Sequence, residues 1–566
     1  MKSPFRWLKF GFPFVITAAL SLSPVSAQET PNMLLIVADD LGYSDIGAFG
    51  SEISTPNIDA LVEKGRVLSN FYTAPSCSPT RAMLLTGNDQ HMAGLGMMAE
   101  VRKRRFPGAE SVLPGYEGVL REQVVTVAEL LNDAGYKTIL SGKWHLGKEE
   151  HQLPHNHGFE QYWTVLEGGS ANFKQKEMGI FPGYPATFLR NGEPLELPDD
   201  FNATEYYTTK LIEATGTAAQ ENRPFFALAA YTAPHWPLQA PDRYLEMYRG
   251  KYDEGYQKVA DARVSRMKTL GLLEEDFPDK AILDESPAWE SLSKDEQARS
   301  AREMEVYAAM VAQLDHEVGR VIDHLKETGQ YQNTFIMFIS DNGSESKDHG
   351  KRVSQKWLDE NFDNSLENLG RKDSFISYSK AWAQVSAQPF RGYKQTIQEG
   401  GIRVPAIVHY PAKFPAVGLT DMIMTVRDVM PTLLDMASVS APLIEYNGRS
   451  VHPIQGRSQL KNLENSTRKN LEETVMGWEV DGNAALRKGI YKAVYSVTQP
   501  DLGWQLYNLK KDPGERNNLA SQEQDVLVGL LEEWKYYAQS NNIALNRDLT
   551  PAEPVVVVVD KGESGS

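Results

Sequence analysis

Residues 31–40 read PNMLLIVADD, an unbroken apolar run that ends in two adjacent acids, Asp39 and Asp40. A run this short and this evenly apolar predicts a strand buried on both faces, as in parallel sheets covered by helices. The pattern recurs at Thr334–Ser340 (TFIMFIS), followed at once by Asp341 and Asn342. Residues 224–231 (PFFALAAY), 136–140 and 405–410 read as further strands of this kind. Helical stretches are expected at 55–65, opened by Pro56, and at 81–86, 124–134 and 421–436. A long amphipathic helix is expected at 301–328, closed by Gly329. Short apolar strands alternating with helices predict an α/β fold with a mostly parallel sheet flanked by helices. After about residue 445 the texture changes. Four short strands with turns between them (474–479, 483–488, 491–496, 504–508) and a helix over 522–541 predict a smaller antiparallel sheet with one packed helix.

The expected organisation is therefore an α/β domain over 28–445, a C-terminal α+β subdomain over 446–550 and a tail over 551–566, with a strand-like run at 555–559. Residues 345–390 are polar and irregular and read as a long insertion or active-site loop. Residues 1–27 resemble a cleavable export signal: Lys2, Arg6 and Lys9 open it, residues 11–23 carry no charge, and Val25, Ser26 and Ala27 are small. The apolar run is short for a membrane span, so the expected product is periplasmic or secreted, without a membrane anchor.

The chain has 566 residues, 41% hydrophobic and 23% charged, which excludes a wholly disordered, collagenous or coiled-coil protein. Its net charge of −17 makes it a poor non-specific partner for nucleic acid or anionic membranes. An anionic substrate would have to be met by local cations or a metal. A single cysteine, Cys77, allows neither an internal disulfide nor a Cys-rich zinc site.

Ligands in open α/β sheets lie beyond the carboxyl ends of strands. Asp39, Asp40, Asp341 and Asn342 stand at two such ends and together form a hard oxygen donor set that suits calcium or magnesium better than zinc. Acids at strand ends are also common without a metal. A second cluster is Cys77-Ser78-Pro79-Thr80-Arg81, followed by AMLLTG. Pro79 fits a first helical turn, which puts Cys77 at a helix N-terminus with Arg81 one turn on along the same face. The alternative, Cys77 as a small core residue, sits badly with neighbours that are Ser, Pro, Thr and Arg.

C-x-P-x-R running into a helix that ends in T-G resembles the signature of the type I sulfatases, and the texture is most similar to that of the bacterial arylsulfatases. The resemblance covers about residues 31–545. It implies an alkaline-phosphatase-like fold and a sulfuric ester hydrolase whose cysteine, here Cys77, is converted to formylglycine by dedicated maturation machinery. It also implies one calcium ion, with magnesium the second choice, held by Asp39, Asp40, Asp341, Asn342 and the modified Cys77. Arg81 matches the arginine that binds the formylglycine hydrate. Lys143 and His145 lie in SGKWHLG, His235 in YTAPHWP and Lys394 in RGYKQTIQEGGIRVP, each matching a family segment that carries a catalytic group. In the implied mechanism one hydroxyl of the hydrated aldehyde attacks sulfur, His235 or Lys394 protonates the leaving oxygen, and His145 takes the proton of the other hydroxyl as sulfate departs. The implied substrate is a small-molecule or glycan sulfate ester, and monomer is the default state. Two other readings stand beside this one: a phosphonate monoester or phosphodiester hydrolase of the same superfamily, and a sulfated-glycan binding protein that keeps Cys77 unmodified. His91, His151, His155, His157 and His349 are candidates for the pocket, with ordinary loop roles favoured. His316 and His324 are expected to be structural, and Trp144 and Trp236 to pack the wall.

Overall fold

The structure, a computed structural model, describes Met1 and residues 30–107, 113–284, 286–465 and 474–544. The expected export signal beyond Met1, the run at 555–559 and the tail lie outside the described residues. Eleven strands form the main sheet: β1 (Asn32–Ala38), β2 (Arg66–Tyr72), β3 (Lys137–Lys143), β4 (Gln161–Val165), β5 (Phe188–Arg190), β6 (Glu193–Pro194), β7 (Phe225–Ala230), β8 (Thr334–Ser340), β9 (Arg403–Val404), β10 (Ala406–His409) and β11 (Gly418–Thr425). Their order is β11-β2-β10-β8-β1-β7-β3-β4-β5-β6, with β9 paired to β2. Strands β8, β1, β7, β3 and β4 run parallel side by side, whereas β10 is antiparallel to both neighbours and β5 and β6 turn back at the far edge.

The apolar run of β1 follows from its place at the centre of this order. Leu34, Ile36 and Ala38 enter one hydrophobic core, while Met33, Leu35 and Val37 enter another on the opposite face. Successive side chains of a strand point to opposite faces, so a strand covered twice shows no alternation. The first core is closed by helices Ala203–Gln220 and Lys294–Glu327, and the second by Cys77–Thr86, Val127–Asp133 and Val429–Ala437. Beyond a short hairpin of β12 (Glu445–Tyr446) and β13 (Arg449–Ser450) come β14 (Val475–Val480), β15 (Asn483–Lys488), β16 (Tyr491–Tyr495) and β17 (Gln505–Asn508), antiparallel in that order. Leu486, Ala493 and Leu506 of this small sheet pack on Leu530, Trp534 and Tyr537 of the helix Gln524–Ser540. Its other face packs on Tyr72 and Ile402 of the large domain. Among the described residues no helix is long and apolar enough to cross a membrane.

Three expectations are corrected. Residues 421–436 are not one helix: β11 occupies their start, parallel to β2, and the helix begins at Val429. The edge of β2 offers backbone partners that no local pattern announces, and these capture the Ile423–Thr425 segment. The long helix starts at Lys294 rather than 301, because Ser293 and Glu296 form a reciprocal capping box. Residues 345–390 are not merely a loop: they hold helices Gln355–Asn361 and Lys380–Ser386, and Phe375, Ile376, Tyr378 and Trp382 enter the first core.

Candidate active site

The register pairs Ala38 of β1 with Ser340 of β8, so Asp39-Asp40 and Asp341-Asn342 leave the sheet together at one edge. The Asp341 N–H donates to the Ala38 carbonyl at 3.0 Å, and the Asp39 N–H to Ala233, in the turn that carries His235, at 3.1 Å. Asp40 holds a left-handed backbone, φ 63°, and its N–H donates to Asp341 Oδ1 at 3.3 Å. Such a conformation is uncommon for a residue with a side chain and recurs at functional sites. Cys77 opens the helix Cys77–Thr86, every residue of which is buried. The helix ends at Gly87, whose left-handed φ of 64° and close contact with Ile454 and Arg427 leave no room for a Cβ. The Cys77 Sγ lies 3.3 Å from Asp39 Oδ1 and 3.6 Å from Asp40 Oδ1. Ligand atoms of Asp39, Asp40, Cys77 and Asp341 all fall within 4.8 Å of one another.

Cations ring this acidic centre. Arg81 donates from Nε and Nη2 to Asp341 Oδ2 at 3.1 and 2.8 Å, and from Nη1 to the Lys143 carbonyl at 3.1 Å. Lys143, the last residue of β3, puts Nζ 2.7 Å from Asp39 Oδ2. Gly142 before it lets β3 press against β7, since a Cβ there would stand 1.9 Å from the Ala230 carbonyl. Lys394 Nζ is 2.8 Å from the Asp40 carboxylate. Its loop is tied down on both sides, through Lys394 N–H to Ser344 at 2.9 Å and Gln395 N–H to Pro75 at 2.7 Å. His235 Nε2 stands 3.6 Å from Asp40 Oδ2, and its Nδ1 lies against the Trp236 carbonyl. His145 Nε2 lies 3.2 Å from Glu100 Oε2. The structure thus gathers Asp39, Asp40, Cys77, Arg81, Lys143, His235, Asp341, Asn342 and Lys394 into one buried cluster, with His145 at its border.

Burial alone would raise Asp39, but Lys143, His235, Arg81 and Lys394 outweigh it and hold the carboxyl well below its usual range. Asp341 is pushed up to about 7, by burial first and then by the charge on Asp39, against Arg81 and Lys143. Burial and the charge of Asp341 push the Cys77 thiol up. Burial pushes His235 down to about 4 and also lowers His145. Crowded, buried carboxylates of this kind call for a cation. Asn342 supplies an independent indication. Its Nδ2 donates to Asp40 at 2.7 Å, while its Oδ1 is buried without a hydrogen-bond partner, an oxygen acceptor left free beside the carboxylates. The residues therefore fit a hard divalent cation.

Two site residues carried no sequence signal strong enough to single them out. Glu345 lies 3.6 Å from Lys394 Nζ and 3.3 Å from His349 Nε2. Glu100 sits on a helix, Ala99–Arg105, that the pattern did not predict. Of the remaining histidines, His349 joins the site wall and stacks on Trp236 with ring centroids 3.7 Å apart. His91 is bound within a buried ion network, His157 lies beside Trp144, and His151 and His155 make loop contacts.

The Sulfatase family model matches residues 31–439, and that of the N-sulphoglucosamine sulphohydrolase C-terminal region matches 392–535. An uncharacterized sulfatase of Schizosaccharomyces pombe is 41% identical over 95% of this chain and 98% of its own length. An arylsulfatase of Klebsiella aerogenes is 37% identical over 77% of this chain and 95% of its own length. The crystal structure of Ps i-CgsB in complex with k-i-k-neocarrahexaose is similar at 25% identity and a TM-score of 0.64, over 91% of this chain and 94% of that one. With the cluster at the carboxyl ends of the central strands and a family match that spans the whole large sheet, the chain belongs to the sulfatase family and hydrolyses sulfate esters.

Proposed function

We propose that this sulfatase is an arylsulfatase-like enzyme that cleaves sulfate monoesters to an alcohol or phenol and sulfate, using a formylglycine made from Cys77 and one calcium ion. The observation that carries the proposal is the Cys77 sulfur at a helix N-terminus, 3.3 and 3.6 Å from two carboxylates of a cation cage and surrounded by Arg81, Lys143 and Lys394. Asp39, Asp40, Asp341 and the Asn342 amide oxygen would hold the cation, which supplies neutralisation of sulfate oxygens. The formylglycine supplies, as its hydrate, a hydroxyl to attack sulfur and a second hydroxyl through which sulfate is expelled.

The chain's own groups do the rest. Arg81 is pinned by Asp341 and the Lys143 carbonyl and presents its guanidinium to the nucleophile at residue 77. Lys143 and Lys394 place fixed positive charge where the sulfate oxygens must sit, in a buried setting where such charge acts strongly. Lys394 or His235, both beside Asp40, gives a proton to the leaving oxygen. His145, which burial keeps neutral near neutral pH, takes a proton as sulfate leaves. The aromatic wall of Trp236, His349 and Phe181 suits a planar or sugar-ring leaving group. The resemblance of residues 1–27 to an export signal supports a periplasmic or secreted enzyme.

The test is the mass of tryptic peptide 67–81 from a host that carries such machinery. Conversion of Cys77 is expected to lower it by ~18 Da, together with sulfate release from a synthetic aryl sulfate. An unshifted peptide in an active preparation would refute the proposal. Calcium is tested separately by melting the chelated protein. Adding calcium to about a hundred times its dissociation constant should stabilise it by about 2.7 kcal/mol, and a melting curve that calcium leaves unchanged would refute the cage.

A further inference from the structure

His145 stands just beyond β3 with a left-handed backbone, φ 59°, and its N–H bound to the Leu166 carbonyl at 3.2 Å. Its imidazole is wedged against Gly168, where a Cβ would approach Cε1 to 2.7 Å. The ring has one hydrogen-bond partner among the described residues, Glu100 Oε2, 3.2 Å from Nε2. Nδ1 is buried and has none. A carboxylate only accepts, so in the neutral ring Nε2 carries the proton and the lone pair sits on Nδ1. The carboxylate thereby selects the tautomer, as in any arrangement where a third group orients a base.

We propose that Glu100 is a positioning residue for the reaction: it holds the His145 ring and its Nε2–H tautomer so that Nδ1 is the nitrogen that takes the proton of the second hydroxyl at residue 77. The inference rests on His145 being the base of the proposed function. The proton balance is simple. The hydroxyl O–H bond breaks, Nδ1–H forms, and the sulfate leaves with the electron pair of its C–O bond as the aldehyde reforms. The imidazolium so made keeps its Nε2–H on Glu100, whose charge stabilises it. A cleft of about 530 Å³, lined by Glu100, His145, Lys148, Gln152, Glu117 and Leu166, opens this pair to solvent and gives the proton a way out. The charges facing the ring are Glu100 from its helix, Lys143 from the end of β3 and Arg81 from the helix that bears Cys77. Lys148, on the loop beyond His145, acts in turn on Glu100.

The test compares E100A, E100Q and E100D with H145A and the double variant E100A/H145A, each checked for peptide 67–81 mass and melting temperature. E100A and E100Q should lower kcat about a hundredfold with KM changed less than about twofold. Glu100 raises His145 while Lys143 and Arg81 lower it, so without Glu100 the acid limb of kcat/KM should move to lower pH. E100D should recover part of the rate, and E100A should add nothing in the H145A background. The inference is overturned if E100A and E100Q turn over at the wild-type rate, or if they lose activity with an unmoved pH profile and an equal further loss in H145A. Wild-type turnover by H145A would instead overturn the assignment of the base, and this inference with it.

Discussion

Replacing Cys77 by alanine is expected to abolish turnover of sulfate esters, by at least about 10⁴-fold, while leaving the fold in place. Cys77 is buried at the first position of the helix Cys77–Thr86, and alanine is the best helix former. Its sulfur makes contacts only with the carboxylates of Asp39 and Asp40 among the described hydrogen bonds, so its loss leaves no buried donor stranded. Arg81, Lys143 and Lys394 would still bind the sulfate group, because each is held by its own carboxylate partner. The variant should therefore bind an aryl sulfate and melt within a few degrees of wild type, yet release nothing. A steady-state assay of the purified variant decides the matter: measurable turnover without Cys77 would end the covalent mechanism, because no other side chain could supply both hydroxyls at that position.

The largest expected effect on stability lies away from the chemistry, at His91. Its Nδ1 is 2.8 Å from Asp89 Oδ1 and its Nε2 3.0 Å from Glu479 Oε2, all three side chains buried. Tyr537 donates to Asp89, and Tyr116 donates to Glu479 at 3.3 Å. Glu479 belongs to β14 and Tyr537 to the last helix, so this network fastens the C-terminal sheet to the loop that follows the Cys77 helix. H91L would strand two buried carboxylates, at a cost of about 3–5 kcal/mol. The same network makes stability fall with pH. Burial works against the charged ring, but Asp89 and Glu479 prevail and raise His91 from 6.5 to about 9. A folded pKa above the unfolded one means that the contribution is full below about 6.5 and is lost as pH rises through 9. Over that window wild type should lose about 3 kcal/mol from this group, and H91L should lose none of it. Asp89 is lowered, so its own share is present above its ordinary pKa and disappears only in acid. Urea unfolding at pH 6.5, 7.5 and 9 gives both numbers. Parallel decline of the two proteins would show that His91 is not the titrating group.

Local order was legible where a few residues decide it alone. The run of β1 announced a strand buried twice, because each of its residues enters one core or the other. Cys77, Pro79 and Arg81 lie within one helical turn, so their spacing already carried the shared face and the N-terminal place of the cysteine. Asp39, Asp40, Asp341 and Asn342 were recognisable as strand-end donors, and the segments around Lys143, His145, His235 and Lys394 as members of a known set. Fold class and sulfate ester hydrolysis were therefore readable from the chain, whereas strand order, the β11 edge and the partners of the candidate site residues were not. Asp341 meets Arg81 across 260 residues, and His91 meets Glu479 across 388. Glu100 reaches His145 across 45 residues from a helix with no apolar stripe to betray it. Hydrophobic periodicity and capping act over three or four residues and write themselves into the sequence. A carboxylate that fixes a tautomer or neutralises a buried histidine is chosen by where packing brings two distant segments, and only the folded chain contains that distance.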